Sequence, residues 1–560
     1  MLKFNNILLF GGETKNENMP VGFYSSLAML PLRGKPIIWW QLNNLKNFGM
    51  EDFIVVVCKD NDKLINYIKE VLKENFRIKL VLVNSNKNIL SSLKYGLKKA
   101  NQEIPTRVLL GDTLITQSIN DDTNILLTSK NVTSSENWCL IKNNKDNHLE
   151  FFDKEKNIDT SDKEALVGYY AFNDTKYILN CCTKARLILK KEISTALIMY
   201  QEKYKFKTKQ INDWYDLGHT SGIIKAKNIL FNARCFNSIA VNTELGTLTK
   251  SSTKIQKLED EALWFNNLPE DLKILTPRFI KFTKDEQSAS LTQELYGYPS
   301  LQELYLSGDV NLEDWSYIIE KLFQTHKFFE KYTTNTDKDS LLWLYYNKTV
   351  ERLAELKDQG DYWAKLLSKE FEIINGNKYN GISKLKEQIK DFAEELSQNG
   401  SQTIIHGDYC FSNILFDSSN YVFKFIDPRG RLNAEATIYG DPRYDIAKLR
   451  HSICGLYDFI VQGLFKISEK EEGFEYKVLT TRDYSVLKTV FNKIAESYKF
   501  NPVEIEFIEG LLFLSMIPLH KDNLNRQKMF YIRAVELLNE ALEKREKEKI
   551  NGRKEIANLY

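Results

Sequence analysis

The chain changes rhythm near residue 230, and that change limits the folds open to it more than any single motif. Up to that point short β-rich runs alternate with helical stretches. Asn6–Phe10 is a β-rich run that ends at Gly11-Gly12, and Phe53–Val57, Lys79–Val83 and Val108–Leu110 are further strand candidates. Between them, Pro36–Asn47 carries a helical pattern that Gly49 can stop. Asp62–Phe76 sets Leu64, Ile65, Ile68, Val71 and Leu72 on one helical face. Strands separated by helices pair in parallel through crossovers. The right-handed crossover then gathers the strand carboxyl ends, and any ligand site, along one edge. Residues 1–230 are therefore expected to form an α/β, Rossmann-like domain with a mostly parallel sheet.

Beyond that point the pattern is that of an α+β unit. Ser238–Val241, a turn at Asn242–Gly246 and Thr247–Lys250 read as a hairpin, followed by a helix near Lys254–Phe265. After about Leu301 the chain reads as mainly helical, with a β-like interruption at Thr403–Asp427. This predicts a small lobe over 231–300, a helical lobe over 301–545 and a charged tail over 546–560. Glu536–Lys549, with Lys, Arg and Glu interleaved, reads as a solvated terminal helix.

Composition excludes several classes. The 77 basic and 75 acidic residues nearly cancel, giving a formal net charge of +2. Such a balance offers no long-range attraction to nucleic acid or anionic lipid. The longest apolar stretch, near Leu511–Leu519, is too short to span a bilayer, so no membrane insertion is expected. Seven cysteines without a CxxC pair or zinc spacing fit reduced thiols in a cytoplasmic protein.

The strongest chemical signal is His406-Gly407-Asp408-Tyr409-Cys410-Phe411-Ser412-Asn413, followed by an apolar hairpin that ends at Asp427-Pro428-Arg429-Gly430. Phosphoryl transfer needs a carboxylate beside the attacking hydroxyl and ligands that hold Mg²⁺ on the nucleotide phosphates. Asp408 and Asn413 lie on one loop, and Asp427 arrives at the end of the next strand. This segment resembles the aminoglycoside phosphotransferase and choline kinase family, relatives of protein kinases that phosphorylate small molecules. The resemblance implies a kinase-like bilobal fold, with Asp408 as catalytic base and Asn413 and Asp427 as metal ligands. Tyr439–Ala447 resembles the GDP-containing segment that follows in the family, where Asp441 and Asp445 would buttress the catalytic loop. By the same resemblance Lys250 would bind ATP phosphates. Glu261 would pair with it, with Glu259 as the competitor. Gln293-Glu294-Leu295 would be the strand and hinge that meet the adenine. The hairpin holds only one glycine, Gly246, where related kinases have a glycine-rich loop.

A second set of motifs lies in the first 230 residues. Leu30-Pro31-Leu32-Arg33-Gly34-Lys35-Pro36, Leu110-Gly111-Asp112, Val167-Gly168-Tyr169-Tyr170 and Trp214-Tyr215-Asp216-Leu217-Gly218 occur in that order. They resemble segments of sugar-nucleotide pyrophosphorylases and cytidylyltransferases. The resemblance implies that Asp112 and Asp216 hold Mg²⁺ on a nucleoside triphosphate, and that Gly11, Gly12 and Lys15 lie at the phosphate loop. Two positions depart from the family: Glu13 stands for the loop's second glycine, and Leu27 for the lysine of its P-K-x-L-L-P segment. Asn88–Leu93 resembles a stretch of choline-phosphate cytidylyltransferases, which inclines the expected nucleotide toward CTP over another nucleoside triphosphate. A helix start capped by Asn or Ser is the alternative reading of that stretch.

Together the resemblances imply a bifunctional enzyme. A kinase using ATP would make a phosphomonoester, and a nucleotidyltransferase-like domain would join it to a nucleotide as an activated precursor for capsule or other surface polysaccharide. The alternative is a monofunctional small-molecule kinase whose N-terminal domain only binds a nucleotide.

Overall fold

The computed structural model describes residues 3–11, 26–32, 35–84, 88–119, 122–131, 135–144, 148–185, 192–219, 222–223, 225–226, 237–242, 244–308 and 310–557. The chain divides into two compact units, Met1–Leu230 and Phe231–Tyr560.

The first unit is built on β1 (Asn5–Phe10), α1 (Ile37–Asn47), β2 (Asp52–Cys58), β3 (Arg77–Val83), α2 (Ile89–Lys99) and β4 (Thr106–Leu110). These strands pair in parallel in the order β4-β1-β2-β3. β1 is buried along its whole length, as a strand covered on both faces must be. Its two asparagines fix the register: the Asn5 side chain donates to Asn101 O (2.8 Å), and Asn6 donates to Asp52 O (2.9 Å). α2 lays Leu90, Leu93 and Leu97 into a core with Ile7, Leu9, Val56 and Val108.

The chain then continues through β5 (Thr113–Ile115), β6 (Ile125–Ser129), β7 (Cys139–Asn143), β8 (Leu149–Asp153) and β9 (Glu164–Phe172). It closes with β10 (Lys207–Gln210) and β11 (Trp214–Asp216). β9 runs antiparallel beside β4, β6 and β7, and β7 pairs with β8, so the parallel block carries an antiparallel flank. β11 pairs with β5, which lays Asp216 beside Thr113 just past the carboxyl end of β4. The crossover rule thus brings Gly11 (after β1), Asp112 (after β4) and Asp216 to one edge.

The second unit opens with β12 (Asn237–Asn242), β13 (Thr247–Ser252), α3 (Ile255–Asn267), β14 (Phe279–Lys284) and β15 (Ala289–Glu294). The strands form an antiparallel sheet in the order β12-β13-β15-β14. A largely helical region follows, containing α4 (Lys348–Lys357), the hairpin β16 (Ile414–Asp417) and β17 (Val422–Phe425), α5 (Pro442–Ile453), α6 (Pro502–Met516) and α7 (Leu524–Ala557). Every residue of α5 is buried. α7 crosses position 545 without a break. The solvated reading of its charged stretch needs correction, because Leu537, Leu538, Ala541, Leu542 and Arg545 are buried. The mixed charges hide an apolar stripe that packs on α6.

Among the described residues no helix is long and apolar enough to cross a membrane. Cys58, Cys139, Cys181, Cys182, Cys410 and Cys454 are free thiols; Cys235 lies outside the described residues.

Candidate active sites

In the first unit the carboxyl edge of the sheet opens into a cavity of about 620 Å³. Gly11, Leu27, Asp112, Trp138, Asp216 and His219 are among its lining residues. Gly11 packs closely on α2: a Cβ there would fall 2.3 Å from Ser92 Oγ, so a larger residue would have to displace that side chain. The two carboxylates converge on Gly218: a Cβ placed there would lie 3.1 Å from Asp216 Oδ1 and 3.5 Å from Asp112 Oδ2. Burial and the neighbouring Asp216 push the Asp112 carboxyl up to about 6. Two like charges forced together out of water favour a cation between them. Asp216 is also held by protein donors. The Trp138 indole donates to Oδ2 (2.6 Å), the Gly218 N–H donates to Oδ1 (2.9 Å), and His219 Nε2 stands 3.6 Å from Oδ2. Among the described residues no group of three or more His, Cys, Asp or Glu side chains is set to hold a metal. Mg²⁺ needs fewer protein ligands when a nucleotide supplies oxygens.

Gly12, Glu13 and Lys15 lie outside the described residues. Leu27 lies on the cavity wall. Asn88 caps α2, its side chain accepting the Ser91 N–H at 2.9 Å.

In the second unit Lys250 comes from the middle of β13 and Glu261 from α3. Their charges meet at 2.6 Å, and the same ammonium also bonds Asp427. Burial works against the Lys250 charge, but Asp427 and Glu261 outweigh it and keep the ammonium protonated. Glu259 is engaged elsewhere, at 2.5 Å from Lys284. Asp427 has φ 58°, a left-handed conformation that aspartate tolerates better than most residues. Glu294 ends β15, and its N–H donates to Arg278 O (2.9 Å).

Asp408 and Asn413 also meet. The Asn413 amide donates to Asp408 Oδ2 (2.8 Å) and to its backbone oxygen (3.0 Å). The loop beneath is fixed by buried groups. Asp445 accepts the N–H of His406 (2.7 Å) and of Gly407 (2.8 Å). His406 Nδ1 faces the Asp408 N–H at 3.3 Å, and its Nε2 faces Ile426 O at 3.0 Å, which sets the neutral tautomer with a proton on Nε2. Gly407 has φ 75°, and a Cβ there would strike the Arg429 Cβ at 2.7 Å. Asp441 caps α5 and grips Arg443 instead.

Sequence reasoning missed the partners on the other side of Asp408. Lys448 lies 2.9 Å from Asp408 Oδ1. Burial alone would raise the Asp408 carboxyl, but Lys448, aided by His406 and Arg429, holds it at about 2. Tyr444, one turn before Lys448, receives Arg429 Nη1 (3.1 Å) and Lys348 Nζ (3.3 Å) at its hydroxyl. Arg429 and Tyr444 stand inside segments the motifs already mark. Nothing near Lys348 in the sequence points to it.

Residues 5–232 match the family described as nucleotidyl transferase. The first unit is a nucleotidyltransferase-family domain. Among solved structures, the chain is similar to a UDP-glucose pyrophosphorylase complexed with UDP-glucose, at 17% identity and TM-score 0.35, covering 41% of this chain and 100% of that one. It is also similar to CTP:phosphocholine cytidylyltransferase from Streptococcus pneumoniae, at 16% identity and TM-score 0.33, covering 41% of this chain and 100% of that one. A third is the UTP-bound UGPase from Acinetobacter baumannii, at 12% identity and TM-score 0.33, covering 42% and 95%. No curated protein matches the chain.

Proposed function

We propose that the chain is a bifunctional enzyme: the second unit phosphorylates a hydroxyl of a small molecule with ATP, and the nucleotidyltransferase-family unit joins the resulting phosphomonoester to a nucleotide. The product would be an activated precursor, of the kind consumed in capsule or surface-polysaccharide assembly. One observation carries the kinase half. Lys250, from a strand, bonds both Glu261 and Asp427, while Asp408 and Asn413 bond each other on the neighbouring loop. A buried cation between two carboxylates suits a phosphate-binding centre in which the lysine and a divalent ion share the anionic groups. Asn413 and Asp427 supply the oxygens suited to Mg²⁺, and Lys250 is the cation now set against Asp427. Bound there, Mg²⁺ would neutralise charge on the transferred phosphoryl group.

In this reading Asp408 accepts the proton of the acceptor hydroxyl. Its carboxylate stays ionised because Lys448 faces it, and its aim is fixed by Asn413 and by the Asp445-held loop. Lys250 aligns the nucleotide phosphates, with Glu261 orienting the lysine. In the first unit Asp112 and Asp216 would hold Mg²⁺ on a nucleoside triphosphate, and CTP is the first to try.

A second reading is favoured by two features of the first unit's cavity. Both Asp216 oxygens are engaged by protein donors, and Leu27 replaces a cation where charge develops on the attacked phosphate. These suit a unit that binds a nucleotide without catalysing transfer. The test is pyrophosphate release by the full chain, given the product of its own kinase reaction and each of the four nucleoside triphosphates. Release with one of them supports the bifunctional reading. None with any, alongside ADP formation, leaves the monofunctional kinase.

A further inference from the structure

The inference that follows deepens the kinase reading and rests on it. The two oxygens of Asp408 are held from two sides. Oδ2 faces Asn413, on the side of Asp427 and Lys250 assigned to the nucleotide, and Oδ1 faces Lys448 at 2.9 Å. Behind Lys448 lies a cluster of cations. Arg429 Nη1 and Lys348 Nζ reach the Tyr444 hydroxyl from different elements, at 3.1 and 3.3 Å, and Lys348 also lies 4.8 Å from the centre of the Tyr444 ring. Lys348, Lys448 and Tyr444 are buried. Asp408 and Arg429 are half-buried, so the cluster has an open side next to the expected base.

The charges do not balance. Arg429 and Lys448 are cations, and Lys348, whose ammonium burial and the neighbouring Arg429 and Lys448 lower to about 8, is a third while protonated; against the three stands one carboxylate, Asp408. Among the described residues no carboxylate comes within ion-pair distance of Lys348 or Arg429. Ionised Tyr444, whose hydroxyl the cations pull down to about 7 against its burial, would offset only one of the two excess charges. Uncompensated buried cations are costly, and a group that supplies the missing negative charge is bound in return. Lys348 also follows directly on a π-helical turn, Trp343–Asn347, at the start of α4. Such turns cluster at functional sites.

We propose that the phosphate acceptor of the second unit is itself an anion, a hydroxyl compound bearing a carboxylate or phosphate that Arg429 and Lys348 clamp while its hydroxyl faces Asp408. A neutral polyol leaves the cluster unbalanced, and an amino alcohol adds to the excess.

Calorimetry on the full-length protein tests this with four small probes: D-glycerate and inorganic phosphate as anions, glycerol and ethanolamine as neutral and cationic counterparts. The anions are expected to bind and the other two not. Arg429→Gln should weaken anion binding by about tenfold or more, the loss of one charge-assisted contact. Arg429→Lys should recover much of it, and Lys348→Met should repeat the loss from the other side. Glycerate binding without phosphate, or the reverse, would assign the group as carboxylate or phosphate.

Stronger binding of ethanolamine than of either anion would overturn the proposal. So would unchanged anion affinity in both Arg429→Gln and Lys348→Met. Displacement of the anions by a non-hydrolysable ATP analogue with Mg²⁺ would also overturn it, assigning the cluster to the nucleotide. If the analogue with Mg²⁺ fails to bind the wild-type chain while the anions bind as expected, the kinase reading underneath is what has failed.

Discussion

Asp408 meets the Asn413 amide through one carboxylate oxygen and Lys448 through the other. Replacing Asp408 with alanine is expected to lower ATP-dependent phosphorylation by about 10²–10⁴-fold, the usual cost of losing a general acid–base group. Affinity for the ATP analogue should change little, because Lys250 and Asp427 remain. Steady-state ADP release and calorimetry separate the two effects, and turnover within a few-fold of wild type would remove Asp408 from the role of base. The short-range part of this arrangement is legible in sequence because Asp408 and Asn413 share one loop. Lys448 and Lys348 are not, since their partners lie far along the chain and nothing in local pattern marks a lysine that will be buried. The choice between Glu259 and Glu261 is likewise made by helix phase: Glu261 turns inward to Lys250, whereas Glu259 meets Lys284.

Helix α5 ties this loop to the rest of the second unit. Arg450, near its end, is almost wholly buried and bonds Glu506 (2.7 Å) and Glu509 of α6. Cutting a buried ion pair on one side leaves the other charge stranded, so Arg450→Met is expected to cost about 3–5 kcal/mol of stability, measured by urea unfolding. At the front of α5, Asp445 faces His326 Nε2 at 3.5 Å, and Glu330 faces Nδ1 at 3.0 Å. Burial would lower the His326 pKa, but Asp445 and Glu330 outweigh it and raise it to about 8 from the ordinary 6.5. A raised histidine favours folding most while protonated. Its contribution is therefore full below pH 6.5 and fades as pH rises through 8. The thermal midpoint should fall across that interval, and His326→Gln should flatten the fall. At this scale the β12–β13 and β16–β17 hairpins are readable from alternation and turn residues, but the strands Phe371–Ile374, Asn377–Asn380, Phe465–Lys470 and Gly473–Val478, which form a sheet inside a stretch expected to be helical, are not. α7 is not, because its charges interleave with the apolar stripe that faces α6.

At the scale of the whole molecule, the change of sequence rhythm near residue 230 coincides with the division into two units. Each has its own sheet and buried core, so residues 1–230 expressed alone are expected to unfold in one cooperative transition by calorimetry. Failure to fold alone would mean that the first unit depends on the second. The alternation of strands and helices foretells the parallel block of the sheet, but not the antiparallel flank, where β9 returns to pair with strands much earlier in the chain. The indole of Trp138 has a consequence beyond chemistry. It is one of eight tryptophans, and its N–H rests on Asp216, a carboxylate that a nucleotide-bound cation would have to claim. Loading the cavity must break or polarise that bond, so the emission of Trp138, isolated by subtracting the spectrum of Trp138→Phe, gives the first unit a built-in optical gauge of occupancy.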